Sequence, residues 1–177
     1  HKSCASQAVN NETLLTAWSV GKYVSEKLKN EEWGSKVVSL LSEYIRTSHP
    51  DIKGFSRSSI YNMVMFYEEY SSEAFTTVVE KYLNSQFVQS GTAQIGNTLS
   101  EINKNIAFKK NTQIVQMSSG QFPNILSMTT LSNHYNILCR CRNFEERLFY
   151  ILYAHKEKLS NKELQRAIST QTYETML

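Results

Sequence analysis

Asn143-Phe144-Glu145-Glu146-Arg147-Leu148-Phe149-Tyr150-Ile151-Leu152-Tyr153-Ala154-His155-Lys156-Glu157-Lys158-Leu159-Ser160-Asn161-Lys162-Glu163-Leu164-Gln165-Arg166-Ala167-Ile168 is the stretch whose reading decides the fold. Asn143-x-x-Glu146 is a capping-box variant, and Ser160-x-x-Glu163 is a full capping box. Each sets a side-chain acceptor over backbone N–H groups that a helix start leaves without partners. Behind the first start come Phe144, Leu148, Ile151, Leu152 and His155, and behind the second come Leu164 and Ile168, all at helical spacing. A third start, at Ser132, precedes Tyr135, Ile137 and Leu138. Three short helices with sharp starts predict a compact helical unit of the kind that can carry a helix-turn-helix.

Upstream, a helix is expected from about Asn11, as N-cap, to Asn30. Its stripe is Leu14, Trp18, Gly21 and Leu28, with Leu15 and Val24 alongside. Glycine inside a helix costs ~1 kcal/mol against alanine, so Gly21 predicts that another backbone or ring packs closely there. A second helix, from about Ser35 to Arg46, turns Val37, Val38, Leu41, Tyr44 and Ile45 inward, and His49 to Gly54 forms a turn. The third starts at Ser56, with Phe55 as a hydrophobic staple, and points Ile60, Met63, Val64, Tyr67 and Tyr70 inward. Its first turn, Arg57-Ser58-Ser59, is expected at the surface. Two helices meeting across a loop in this way are compatible with a helix-turn-helix, although the loop exceeds the usual 3–4 residues.

From about Ser71 to Met128 the chain is rich in Ser, Thr, Asn and Gln. Phe75 to Phe87 is helix-compatible through Val78, Val79 and Tyr82, and Ile95, Leu99, Ile102 and Ile106 form a further helical stripe, so two further helices, or one interrupted near Gly91, are expected. Thr112 to Met117 is the one β-like stretch, and Gln121-Phe122-Pro123 breaks the chain again. With 6 Gly and 2 Pro in 177 residues, against about 21 at average usage, collagen-like, turn-rich all-β and linker architectures are excluded. The expected class is mainly α: a helical bundle with helix-turn-helix or winged-helix-like elements and at most a minor β-hairpin.

A formal charge of +3 is too balanced to imply a polyanion partner by itself. Its distribution says more: residues 129–177 carry seven basic and five acidic side chains, while residues 31–74 are net −3. Cys4, Cys139 and Cys141 fit reduced thiols better than a disulfide framework. The longest apolar run, Leu148 to Ala154, is far short of the ~20 residues of a membrane span. No signal peptide is evident, and a cytoplasmic location is expected.

Catalytic motifs are not found. Cys139-x-Cys141 with His134 and His155 lacks zinc-ligand spacing, and on a helix the two thiols face different ways, one buried and one exposed. His155, on an apolar helical face, reads as a satisfied core or boundary histidine rather than a catalytic base. Asp51 is the only aspartate, the Glu pairs are adjacent rather than facing, and no Walker loop, Gly-x-Gly-x-x-Gly or Gly-x-Ser-x-Gly occurs. Neither catalysis within the chain nor a metal or cofactor is expected.

The candidate contacts to nucleic acid fall in three groups. Lys53, Arg57, Ser58, Ser59 and Asn62 surround the exposed start of the third helix. Asn133 and His134 cluster with Ser132 in a first helical turn that could grip a phosphate, simple capping being the alternative. Lys158, Lys162 and Arg166, with Lys156, surround a helix junction, and Lys162 and Arg166 share a face. A different reading makes the amphipathic helices, above all Leu14 to Leu28 and the middle pair, a homodimer or partner-docking surface, to which ten tyrosines and a near-neutral charge are at least as well suited.

Several of these segments, in order, resemble the N-terminal domain of the YhcG family. They are Val9-Asn10-Asn11 with Trp18-Ser19-Val20-Gly21-Lys22-Tyr23-Val24, then Gly34-Ser35-Lys36-Val37-Val38, and Lys53-Gly54-Phe55-Ser56 with Asn62-Met63 and Phe66-Tyr67. Downstream, Asn133-His134, Glu145-Glu146-Arg147-Leu148-Phe149-Tyr150, Lys156-Glu157-Lys158-Leu159-Ser160 and Glu163-Leu164-x-Arg166-x-Ile168 continue the match, and Tyr173-Glu174 with Met176-Leu177 look like its closing segment. The resemblance covers about residues 8–74 and 112–177. It implies a winged-helix or helix-turn-helix-like N-terminal domain ahead of a nuclease domain of the PD-(D/E)XK superfamily, with duplex or branched DNA as partner. On that reading residues 1–177 are one N-terminal domain, two helical parts around a polar insertion at 75–111, and the chain stops where the nuclease domain would begin. Leu131 stands where the family commonly has Trp, so no aromatic role carries over there.

Overall fold

Scarce glycine and proline leave the first helix unbroken for 29 residues, and at 1.5 Å per residue α1 (Lys2–Asn30) is ~43 Å long. The computed structural model describes residues 2–30, 35–89 and 121–176. Beyond α1 it holds α2 (Ser35–Ser48), α3 (Arg57–Tyr70), α4 (Glu73–Gln89) and a 3-10 turn (Asn124–Met128). Then follow α5 (Leu131–Arg140), α6 (Phe144–Lys156), α7 (Asn161–Ser169) and a last turn, α8 (Thr172–Thr175). No strand occurs among the described residues, and none of their helices is long and apolar enough to cross a membrane. The chain is mainly α.

The caps are local hydrogen bonds and mostly form as expected. Ser56 accepts from Ser59 N–H at the start of α3, and Phe55 packs in the same apolar cluster as Ile60, as a staple requires. Asn143 accepts from Glu146 N–H, while the Glu146 carboxylate turns back to Arg142 N–H. Ser160 and Glu163 complete the reciprocal box of α7. Two expected starts move. Asn11 is not an N-cap, because α1 begins at Lys2 and runs on through it, while the neighbouring Asn10 donates to the Thr129 carbonyl at 3.1 Å. α5 is capped by Thr130, whose hydroxyl accepts from Asn133 N–H, and Ser132 already lies inside the helix.

α3 is the central helix, packed by α1, α2, α4 and α5. Its buried residues are Ile60, Met63, Val64, Phe66 and Tyr70, more than one stripe. Phe66, outside the inward face read from the sequence, is covered because α5 lies on that side. Trp18 sits edge-on to Phe66, Tyr67 and Phe122, and the series continues from Phe66 through Tyr70 to Phe75. Edge-to-face geometry adds ~0.5–1.5 kcal/mol per pair to the apolar burial. A smaller cluster, Val24, Val38, Ile60 and Val64, ties α1 and α2 to the start of α3. Tyr44, expected inward on α2, is 61% exposed.

The principal core draws on both ends of the chain, joining Leu14, Met63 and Tyr70 to Leu126, Ile137, Ile151 and Leu164. The start of the segment expected as a polar insertion belongs to it as well: Phe75 and Val79 of α4 are buried, and α4 packs on α6. The Ile95–Ile106 stripe and the β-like Thr112–Met117 lie outside the described residues. Arg147 joins α6 to α3. Its guanidinium pairs with Glu69, its Nε donates to the Cys141 carbonyl at 3.2 Å, and it lies over the Phe144 ring. Cys141 is buried and Cys139 exposed, and burial, then Glu146, pushes the Cys141 thiol up to about 12.

Candidate nucleic-acid interface

The turn between α6 and α7 is four residues long, Glu157 to Ser160, and its backbone hydrogen bonds fix the entry of α7. Leu159 N–H donates to the Ala154 carbonyl and Lys158 N–H to that of His155. This pairing is a Schellman motif, which needs a left-handed residue and usually takes glycine. Here Lys158 holds φ 53°. A side chain in this region costs about 1–2 kcal/mol, and the Lys158 side chain is exposed. Lys158→Gly is therefore expected to raise stability by roughly 0.5–1 kcal/mol, which chemical denaturation would show.

α5 and α7 run side by side in the same direction, joined by amides. Asn161 donates to Asn133 Oδ1 at 3.3 Å, and Gln165 donates to Asn136 Oδ1 at 3.0 Å. Asn133 in turn donates to the Thr129 hydroxyl at 2.8 Å. Apolar Leu164 and Ile168 anchor α7 from beneath. Lys162, Arg166 and Ser169 are then left on its outer face at i, i+4, i+7. The parallel packing brings the end of α5 beside the end of α7. A groove of about 440 Å³ results, lined by Arg140, Lys162, Gln165, Arg166, Ser169 and Thr170.

Three cations with amide and hydroxyl donors on one open groove suit an extended anion. Guanidinium groups bind phosphate oxygens in a bidentate manner, and the ammonium adds a mobile point charge. Glu163 is held below the usual carboxylate range by hydrogen bonds from the Ser160 side chain and backbone, with Arg166 adding a smaller pull. Its charge is thereby spent on the α7 cap, where a carboxylate belongs.

The other expected contacts are placed elsewhere. Lys53, Arg57 and Ser58 are exposed and lie apart from α7: the start of α3 packs on α1 and α2, whereas α7 packs on α5, α6 and α8. Arg57 lies over the Tyr61 ring at 5.9 Å. The Ser59 hydroxyl bonds the N-cap Ser56 at 2.9 Å, and Asn62 is half-buried.

Asn133 and His134 are a correction. Asn133 is 2% and His134 0% exposed, so neither can reach a phosphate. Asn133 is taken up by the amide seam. The His134 ring bridges the Leu126 carbonyl, 2.8 Å from Nε2, and the Tyr70 hydroxyl, 3.2 Å from Nδ1. A carbonyl only accepts, so Nε2 carries the proton and Nδ1 accepts from Tyr70. Burial lowers the His134 pKa to about 4 against a smaller opposing effect of the Leu126 bond, so the ring is a neutral interior strut. His155, as expected of a boundary histidine, meets the Met128 carbonyl at 3.0 Å.

Sequence reading missed Arg140, Gln165, Ser169 and Thr170 as part of the same surface. Arg140 ends a different helix from Lys162, and no spacing rule links them. Among the described residues no cluster of three or more His, Cys, Asp or Glu could hold a metal ion.

The chain matches the family model of the DUF1016 N-terminal domain over residues 1–175, and DUF1016 is the YhcG-like family. No curated protein and no solved structure matches it.

Proposed function

We propose that the chain, which belongs to the DUF1016 N-terminal domain family, is a DNA-binding or substrate-positioning module that holds the backbone of duplex or branched DNA in the α5–α7 groove. The observation that carries this reading is the convergence of Arg140, Lys162 and Arg166 on one groove from two helices. The four-residue turn into α7, with Lys158 at its left-handed position, supports a helix-turn-helix built from α6 and α7, preceded by α5 as in a three-helix unit. Contacts of this type set register on the duplex and carry little sequence information. Catalysis belongs, on this reading, to a PD-(D/E)XK nuclease domain of the parent protein, which this module would present with DNA.

The test is charge reversal. The triple variant R140E/K162E/R166E is expected to lose at least 100-fold in affinity for a 20-bp duplex at low salt, and K162A alone to flatten the salt dependence by about one unit of slope. Unchanged affinity in the triple variant, with its helical circular dichroism intact, would overturn the proposal. A second reading, a dimerisation module, is favoured by the shallow groove on α1 between Ala8, Asn11, Leu15 and Val20, beside exposed Val9. A DNA-silent dimer in light scattering would select it.

A further inference from the structure

We infer that the α2–α3 end of the bundle is a stacking platform for unpaired bases, so that the module receives DNA carrying a single-stranded stretch. This deepens the DNA-binding reading and rests on it. The observation is the placement of rings and cations at one end of the fold. Tyr44 is 61% exposed on α2, and its ring lies 6.3 Å from that of His49, itself exposed just after the helix. The loop continues through Ile52, 45% exposed, and Lys53. α3 then opens with Arg57 over the ring of Tyr61, which is 36% exposed.

Unpaired bases are bound without regard to sequence by this combination: exposed aromatic faces for stacking and interleaved cations for the backbone. Duplex DNA hides its base faces, so it would leave these rings unused. The acidic balance of the region does not oppose the assignment. Glu69 pairs with Arg147 and Glu43 with Arg46, while Glu68, which keeps its charge as it accepts from Ser25 at 2.6 Å, stands in the last turn of α3, away from its start. Near the loop that leaves Asp51 against Lys53 and Arg57, neither of which pairs with a carboxylate among the described residues. Ser56 and Ser59 are taken up by the cap, which fixes the direction in which α3 presents Arg57.

The experiment uses the 177-residue chain and two fluorescein-labelled probes, a dT20 strand and a 20-bp duplex, in anisotropy titrations. Stacking losses start at about fivefold per ring and commonly reach about tenfold or more. Y44A/Y61A is therefore expected to bind dT20 roughly 100-fold more weakly and the duplex as before, while Y44F/Y61F, which keeps both rings, stays within about threefold for both. Both tyrosines reach the surface, and an unchanged melting temperature confirms that the fold is intact. Equal loss of duplex binding in Y44A/Y61A, unchanged dT20 binding, or equal loss in the Phe and Ala pairs would overturn the platform. So would dT20 binding that disappears only in R140E/K162E/R166E. A chain that binds duplex and not dT20 overturns the platform and leaves the groove reading intact. Loss of both probes in the unmodified chain overturns both.

Discussion

Gly21→Ala is expected to destabilise the protein by roughly 2–4 kcal/mol, although alanine is the better helix former. A Cβ at Gly21 would lie 2.7 Å from the Met63 carbonyl carbon, 2.9 Å from Tyr67 Cβ and closer still to the Met63 oxygen. These are backbone atoms or the root of a side chain, so no rotamer change relieves the overlap. α1 and α3 must separate instead. Their crossing holds Trp18 against Tyr67 and Phe66, and Val24 against Ile60 and Val64. The propensity gain is ~1 kcal/mol, and over-packing of a tight interior commonly costs 1–3 kcal/mol and more when backbone must move. The loss wins. Gly21→Val, with no propensity gain to offset its larger clash, is expected to be worse. A change of 3 kcal/mol corresponds to a melting temperature lower by roughly 6–12 °C in a chain of this size. A melting temperature for Gly21→Ala equal to or above that of the unmodified chain would show that the helices do not meet here.

A second large effect is acid destabilisation through His134. The folded state keeps this ring neutral with a pKa of about 4, below the ordinary 6.5. Between those values the unfolded chain binds a proton that the native state refuses, so stability rises with pH across the window. It is lost as pH falls below about 6.5 and levels off near 4, roughly 3 kcal/mol in total. About 2 kcal/mol of that falls between pH 6.5 and 5, above the range where ordinary carboxylates titrate. Urea denaturation at pH 7 and pH 5 measures it. His134→Gln is expected to be less stable at pH 7, since it cannot bridge Leu126 and Tyr70 in the same way, and to lose the slope between pH 6.5 and 5. An unaltered slope in that variant would place the titrating group elsewhere. Tyr70, the other half of the bridge, has its hydroxyl pushed well above the usual tyrosine range by burial, so it stays a donor to the ring throughout.

The sequence reading did best where the physics is local. Ser56, Asn143 and Ser160 cap their helices because the acceptor and the N–H it satisfies are three residues apart. It erred at Asn11 and Ser132, polar residues that also look like caps, because a helix start is a competition. α1 already runs through Asn11 from Lys2, and Thr130 takes the cap two residues before Ser132. The polar neighbours of His134 in the first turn suggest an anion site, and its complete burial makes it part of the core instead. Lys162 and Arg166 were legible as one face because they are i, i+4. Their third partner, Arg140, was not.

By itself, then, the sequence determined that the chain is helical, where most of its described helices begin, and that something would lie against Gly21. Each of these depends on hydrogen bonds and spacings within one or two turns. Only the tertiary structure decided that α3 is covered on several sides, which buries Phe66. It alone decided that His134 is an interior strut, and that α5 and α7 lie parallel so that Arg140 joins Lys162 and Arg166. Helical periodicity reports the face a helix offers to its first neighbour. A second neighbour, or a cation arriving from a helix 20 residues away, leaves no mark on that period, because its position is set by how distant segments fill space together.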